Sequence, residues 1–228
     1  MTTTLALNAR QIRHARGIIA ACKARELPHD QGQRVADIAV ETALTESGLR
    51  MYANENNPES LRLPHDAVGS DHGSVGLFQQ QVGGAPNSTA DWGTTAELMD
   101  PEVSTRKFLD ALLRLDWIPM TNWAAAQAVQ HSAFSDGSNY RSNDGFAIEI
   151  RKTLWAGVAS APGPDSGSPA IVVHRVERSH IVAPGDTLFA IAHAWGVSLQ
   201  AVEAANPQAG HPAGNFDNIR PGDQILHP

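Results

Sequence analysis

The chain has 228 residues, 42% of them hydrophobic and 18% charged, a balance that supports one or two packed cores and excludes disordered and fibrous architectures. Seventeen Lys+Arg against 24 Asp+Glu leave a net charge of −7, which argues against phosphate-driven binding to nucleic acid and favours a ligand that is neutral or recognised locally. A single cysteine, Cys22, rules out an internal disulfide framework and a multi-cysteine zinc site, and no stretch approaches the roughly 18–20 apolar residues of a membrane span.

Residues 1–10 lack the apolar core of a secretory signal, so synthesis and folding in a cytoplasm are expected. Ile12, Ala15, Ile19 and Cys22 then recur at spacings of 3, 4 and 3, which predicts a helix from an Asn8 cap to about Glu26, with Cys22 a packed thiol on its inner face. Asp30 with Gln33 resembles a capping box. Val35, Ile38, Ala39, Thr42 and Ala43 follow on one face until Gly48 supplies a stop. Between Asn54 and Gly93 the pattern breaks into a Gly-, Asn-, Pro- and Ser-rich stretch that reads as loops with a short hairpin. A long irregular insertion in a helical body is where function is expected, because long loops seldom build cores. Further helices are predicted at about 101–115, 122–134 and 145–155.

Residues 157–170 hold three Pro, three Gly and three Ser and no aromatic, the composition of a linker. The expected division is therefore a body at 1–156, a flexible linker at 157–179 and a tail at 180–228. In the tail a strand at His180–Val182, helices at about 187–195 and 198–205, and a strand at Gln224–His227 compose a β-α-α-β unit. The fold class is α+β, with a mainly helical body.

One carboxylate is out of place. Positions 35, 39, 42 and 46 are separated by 4, 3 and 4, so Glu46 extends a buried stripe. Burial and the negative end of the helix dipole both raise the pKa of such a group, and a carboxylic acid kept protonated near neutral pH is what a general acid for glycosidic cleavage requires. A glutamate at a frayed helix end with its head in water fits the same spacing.

Thr45-Glu46-Ser47-Gly48 followed by Gly76-Leu77-Phe78-Gln79 resembles the Glu-Ser and Gly-Leu-Met-Gln motifs of the lysozyme-like superfamily of goose-type lysozymes and soluble lytic transglycosylases, loosely over residues 30–155. The resemblance implies that Glu46 is the catalytic acid and that Ser47, Gly76, Phe78 and Gln79 line a saccharide groove. Asp71 resembles the water-positioning aspartate of goose-type lysozymes, across a one-residue gap, and reads equally as a turn-forming residue. Asp66, Glu55 and Glu59 are less favoured substitutes. The third motif of transglycosylases, of the Ala-Tyr-Asn-Ala-Gly kind, has its nearest counterpart in Ala128–Phe134, with Tyr140 beyond as the candidate substrate contact. Gln130 in that stretch faces either sugar or solvent.

His65-Asp66 and Asp71-His72 also suggest a zinc set. The later His-x-His pair that zinc-dependent peptidoglycan endopeptidases carry does not occur, so neither a metal nor another cofactor is expected.

Over its whole length the tail resembles a LysM domain, on His180–Ala192, Trp195-Gly-Val-Ser198, Ala205-Asn-Pro207 and Asn218–Leu226. That resemblance implies a shallow groove for N-acetylglucosamine-containing glycans, formed by Gly185, Asp186, Thr187, Leu188, Asn206 and Pro207, with Ile219 close by. Of these, Leu188 reads equally as core, and Asp186 as a helix cap. Body and tail together resemble phage endolysins. The implied activity is a peptidoglycan muramidase cutting the β-1,4 bond between N-acetylmuramic acid and N-acetylglucosamine, with a lytic transglycosylase or a non-catalytic wall-anchoring protein as alternatives. Such a protein is expected to be made in the host cytoplasm and to act on the bacterial wall after lysis, or from a virion tail.

Overall fold

The computed structural model describes residues 2–83, 91–133, 135–159, 171–176, 179–195, 199–206 and 219–226. The body is built around one helix. Strand β1 (Thr2–Leu7) leads into α1 (Ala9–Lys23), whose Asn8 and Gln11 form a reciprocal capping box. Helix α2 (His29–Ser47) follows and packs against α1, α4 (Pro101–Leu112), α5 (Asn122–Gln130) and α6 (Ser138–Leu154). It is buried almost all round, every residue from Val35 to Leu44 included. A helix enclosed by four others needs no polar face, which is why its buried arc exceeds the stripe expected from spacing.

The expected capping box at Asp30 and Gln33 does not form: Pro28 occupies the cap with no side-chain bond, and Gln33 instead meets His29 and Arg151. Gly48 ends α2 as expected. At φ +62° its N–H bonds to Leu44 O while that of Leu49 reaches back to Ala43 O, a Schellman-type stop. Helix α5 stops earlier than its pattern suggests, because His131 turns left-handed at φ +51°. Helix α6 starts earlier, through the polar run 138–144, where apolar periodicity has nothing to report.

Between Asn54 and Gly93 the expected hairpin is replaced by a short parallel pair, β2 (Tyr52–Asn54) with β3 (Ala67–Gly69), and α3 (Thr95–Leu98) lies just beyond this stretch. The connection from β2 to β3 runs through a 3-10 turn at Ser60–Arg62, and Val75 and Gln80 form a separate antiparallel bridge.

The interval read as linker is structured over part of its length. Residues Ile171–Val176 form β4, antiparallel to β1 with Thr2 opposite Val176 and Leu7 opposite Ile171. The β-branched run Ile171-Val172-Val173 supplies the strand propensity. Before it, Lys23 Nζ donates to the carbonyls of Trp155 (2.6 Å) and Val158 (2.5 Å), tying the end of the body to α1.

The tail holds β5 (Ser179–Ile181), α7 (Leu188–Trp195), α8 (Leu199–Ala205) and β6 (Gln224–Leu226), with β5 and β6 antiparallel. Its own core comprises Val182, Leu188, Ile191, Ala192, Val202 and Ile225. Arg141 of α6 donates to the Ala205 carbonyl at 2.6 Å. Among the described residues, no helix is long and apolar enough to cross a membrane.

Helix α2 also buries acids. Asp37 pairs through two bonds with Arg151 (2.8 and 3.0 Å), yet burial pushes its pKa up to about 6 against that pairing. Glu41, fully buried, has no hydrogen-bond partner on either carboxylate oxygen. Burial, with Asp144 and Asp37 nearby, raises it well above its ordinary value of 4.5. Below that value the carboxyl is neutral in folded and unfolded chains alike. Above it only the unfolded chain ionises freely, so this group makes stability fall with rising pH, by about 1.4 kcal/mol per unit until the folded carboxyl ionises too. Glu41→Gln should therefore melt higher than the parent at pH 8 and level with it near pH 4. A melting-temperature difference constant over that range would exclude the buried neutral acid.

Candidate active site and tail loops

Glu46 lies in the last turn of α2, half-buried, where three separately encoded segments converge on it. From α6, the Tyr140 hydroxyl donates to Glu46 Oε1 at 2.5 Å. From the end of α5, Gln130 donates to Phe78 O at 2.6 Å and brings its amide close enough to the same carboxylate to favour the ionised form. From the 71–80 segment, Asp71 adds negative charge. Burial is the largest influence on Glu46 and raises its pKa; Asp71 acts in the same direction, while the Tyr140 bond and the Gln130 amide oppose them. The net direction is upward, as expected for an acid held protonated.

Tyr140 has no exposed surface, so it acts as a buttress of Glu46 and not as the sugar contact expected of it. Burial and the adjacent Glu46 push its phenol up, which keeps it a donor at all ordinary pH. Ser47 is likewise buried: its hydroxyl lies 2.8 Å from Leu77 O and 2.9 Å from Ala43 O, joining the end of α2 to the glycine-rich segment. Phe78 is fully buried and stacks on Phe108 with centroids 4.7 Å apart, a core position away from any groove.

Gly76 is confined by its surroundings. It has φ +80°, its N–H donates to Tyr52 O at 2.8 Å, and a Cβ there would overlap the Leu98 carbonyl oxygen. Gln79, also left-handed at φ +47°, donates to Gly76 O at 2.9 Å and stays half-buried at the surface of the site. Asp71 is exposed, and the buried Asn54 amide holds it, donating to its backbone O at 2.6 Å and to Oδ1 at 3.1 Å. Sequence reasoning had no signal for Asn54, and it left Gln130 between two readings that only the α5–α2 contact separates.

The histidine–aspartate pairs do not converge. Burial of Asp66 is outweighed by the Met51 N–H, His14 and Arg10, which hold its carboxylate low, while His65 bonds to Leu63 O. Among the described residues no three His, Cys, Asp or Glu side chains are arranged to hold a metal ion.

In the tail, Asp186 does not cap α7. It accepts from Ala183 N and faces His180, locking the turn, and Thr187 Oγ1 accepts from Ala190 N instead. Gly185 and Thr187 are exposed and Ile219 is half-buried against the tail core. Leu188 is core. Asn206 is wholly buried: its amide donates to Val202 O and Leu226 O, both at 2.8 Å, and accepts from Leu226 N at 2.7 Å. Those three bonds use both amide hydrogens and clasp α8 to β6, and with no exposed surface the side chain is a joint of the tail and not a glycan contact. Pro207 lies outside the described residues.

Residues 180–228 match the family model of the LysM domain, which implies peptidoglycan binding. No curated protein matches the chain.

Proposed function

We propose that this chain is a peptidoglycan muramidase, with Glu46 as its general acid and the tail as its wall-binding module. The observation that carries the reading is Glu46 itself, a carboxyl raised by burial, gripped by Tyr140 with Gln130 beside it, and facing the charge of Asp71. Tyr140 donates to Oε1, and the carboxyl's own proton is the one transferred. In the reaction that proton passes to the leaving oxygen of N-acetylglucosamine as the bond from C1 of N-acetylmuramic acid breaks. A water held by Asp71 attacks C1 from the opposite face and yields its proton to that carboxylate, with inversion of configuration. Asn54 fixes the loop carrying Asp71, so this carboxylate is positioned before substrate arrives.

Products decide between water and the sugar's own hydroxyl as nucleophile. Digestion of purified walls should leave reducing N-acetylmuramic acid ends, one water heavier than anhydro ends, in the mass spectrum. Asp71→Asn should lower that rate by about 10²-fold or more, because an amide positions water but cannot take its proton. Anhydro ends alone would make the chain a lytic transglycosylase that retains Glu46 as acid. Absence of any wall cleavage by the intact protein would leave a wall-anchoring role.

A further inference from the structure

The tail is fastened to the body at two places, and helix α6 takes part in both. The first is strand β4. It pairs with β1 from Ile171 opposite Leu7 to Val176 opposite Thr2, and it packs against α6. The Pro-, Gly- and Ser-rich run ahead of β4 is therefore closed on the body at both ends, by Lys23 on the Val158 carbonyl and by β1 on β4, so it is not the tether of the tail. Only residues 177 and 178 separate β4 from β5, a span of about 10 Å at full extension.

The second is Arg141. Its guanidinium lies over the Trp123 ring of α5, 5.2 Å from the centroid, and donates at 2.6 Å to the carbonyl of Ala205, the last residue of α8. A helix end leaves its final carbonyls without partners inside the helix. Within the tail, Asn206 satisfies those of Val202 and Glu203, whereas that of Ala205 is satisfied from the body. Ala205 itself has no exposed surface and belongs to the core of the body, while Val202, one turn earlier, belongs to that of the tail.

We infer that the tail is docked on the body as one rigid unit, with Arg141 as the positioning residue of the joint, so that wall glycan bound by the tail fixes the orientation of Glu46 on the wall. Arg141 directly follows Tyr140, whose hydroxyl grips Glu46, so the turn of α6 that holds the acid also holds the tail. Modules joined by a flexible chain ordinarily move independently, and binding by one then only raises the local concentration of the other. A docked tail adds orientation. The gain appears on polymeric wall glycan, which both parts hold at once, and not on fragments too short to reach the tail. This gain rests on the muramidase reading; the docking does not.

Nitrogen-15 relaxation of the full chain should give one tumbling time for the amides of body and tail. Arg141→Ala, combined with a Gly/Ser insertion between Glu177 and Arg178, loosens both holds, and the tail amides should then tumble faster than those of the body. Ala205→Arg with the same insertion undocks from the tail side, by bulk and like charge, and leaves the Trp123 contact of Arg141 in place should Arg141→Ala fail to fold. Two tumbling times in the parent, or a single time in the undocked variants, would overturn the docking. In the same variants lysis of intact walls should fall about tenfold, while cleavage of short soluble fragments stays at the parental rate. Loss on both substrates alike, or on neither, would overturn the positioning role of Arg141. Should the parent cut neither substrate, the muramidase reading fails and the tumbling times still decide the docking.

Discussion

Glu46→Gln is expected to abolish wall lysis while leaving the fold and the pelleting of the protein with insoluble walls unchanged. The substitution preserves size and burial, and its amide still accepts the Tyr140 hydroxyl, so α2, α6 and the glycine-rich segment keep their contacts. What it removes is the transferable proton. Loss of a general acid commonly lowers rates by about 10²–10⁴-fold, and turbidity loss of purified walls over that range measures it. Retention of more than a few per cent of parental lysis would remove Glu46 from the chemistry. The pH profile supplies an independent check. Burial keeps the Glu46 carboxyl protonated above its ordinary range, and the acid works only in that form, so lysis should decline as pH rises through the raised pKa. Tyr140→Phe withdraws a bond that stabilises the ionised form, and should move that decline to higher pH.

Gly76→Ala is expected to destabilise the body by about 3–5 kcal/mol, far beyond the usual effect of adding one methyl group. Two costs combine. A side chain at φ +80° is strained, and its Cβ would overlap the carbonyl oxygen of the buried Leu98, a backbone atom at the end of α3 that cannot swing aside as a side chain could. Gly48→Ala provides the control: at φ +62° it has the same backbone strain but open space around the added carbon, so only about 1 kcal/mol should be lost. Denaturant midpoints of the two variants separate strain from collision, and equal losses would show that Leu98 does not confine Gly76. Activity should fall further in the Gly76 variant than unfolding explains, because Ser47 and Gln130 hold the neighbouring carbonyls of Leu77 and Phe78 and link them to Glu46.

Much of this is legible in the residue order alone. Intervals of 4, 3 and 4 place Glu46 on an inward stripe, and Gly48 announces where α2 ends, because helical periodicity and the left-handed stop are local properties of backbone and side chain. The tail's strands and helices fall close to their expected bounds for the same reason, its turns being marked by Pro-Gly-Asp at both ends. The β1–β4 pair is not legible, since its partners come from opposite ends of the body and a strand's pairing depends on what arrives beside it. Residues assigned to sugar by motif are redistributed by burial: Phe78 goes to the core, Ser47 to the joint between α2 and the glycine-rich segment, Asn206 to the clasp between α8 and β6.

The sequence by itself determined the helical body, the acid at the end of its second helix, and the β-α-α-β tail, because each is written in spacings of a few residues. Only the tertiary structure decided which side chains meet that acid. Tyr140 lies 94 residues from Glu46 along the chain, and Gln130 and Asp71 come from two further segments. Nothing local encodes such contacts; they arise when α5, α6 and the glycine-rich loop pack around α2, and that packing turns a glutamate at a helix end into a buried, proton-holding group.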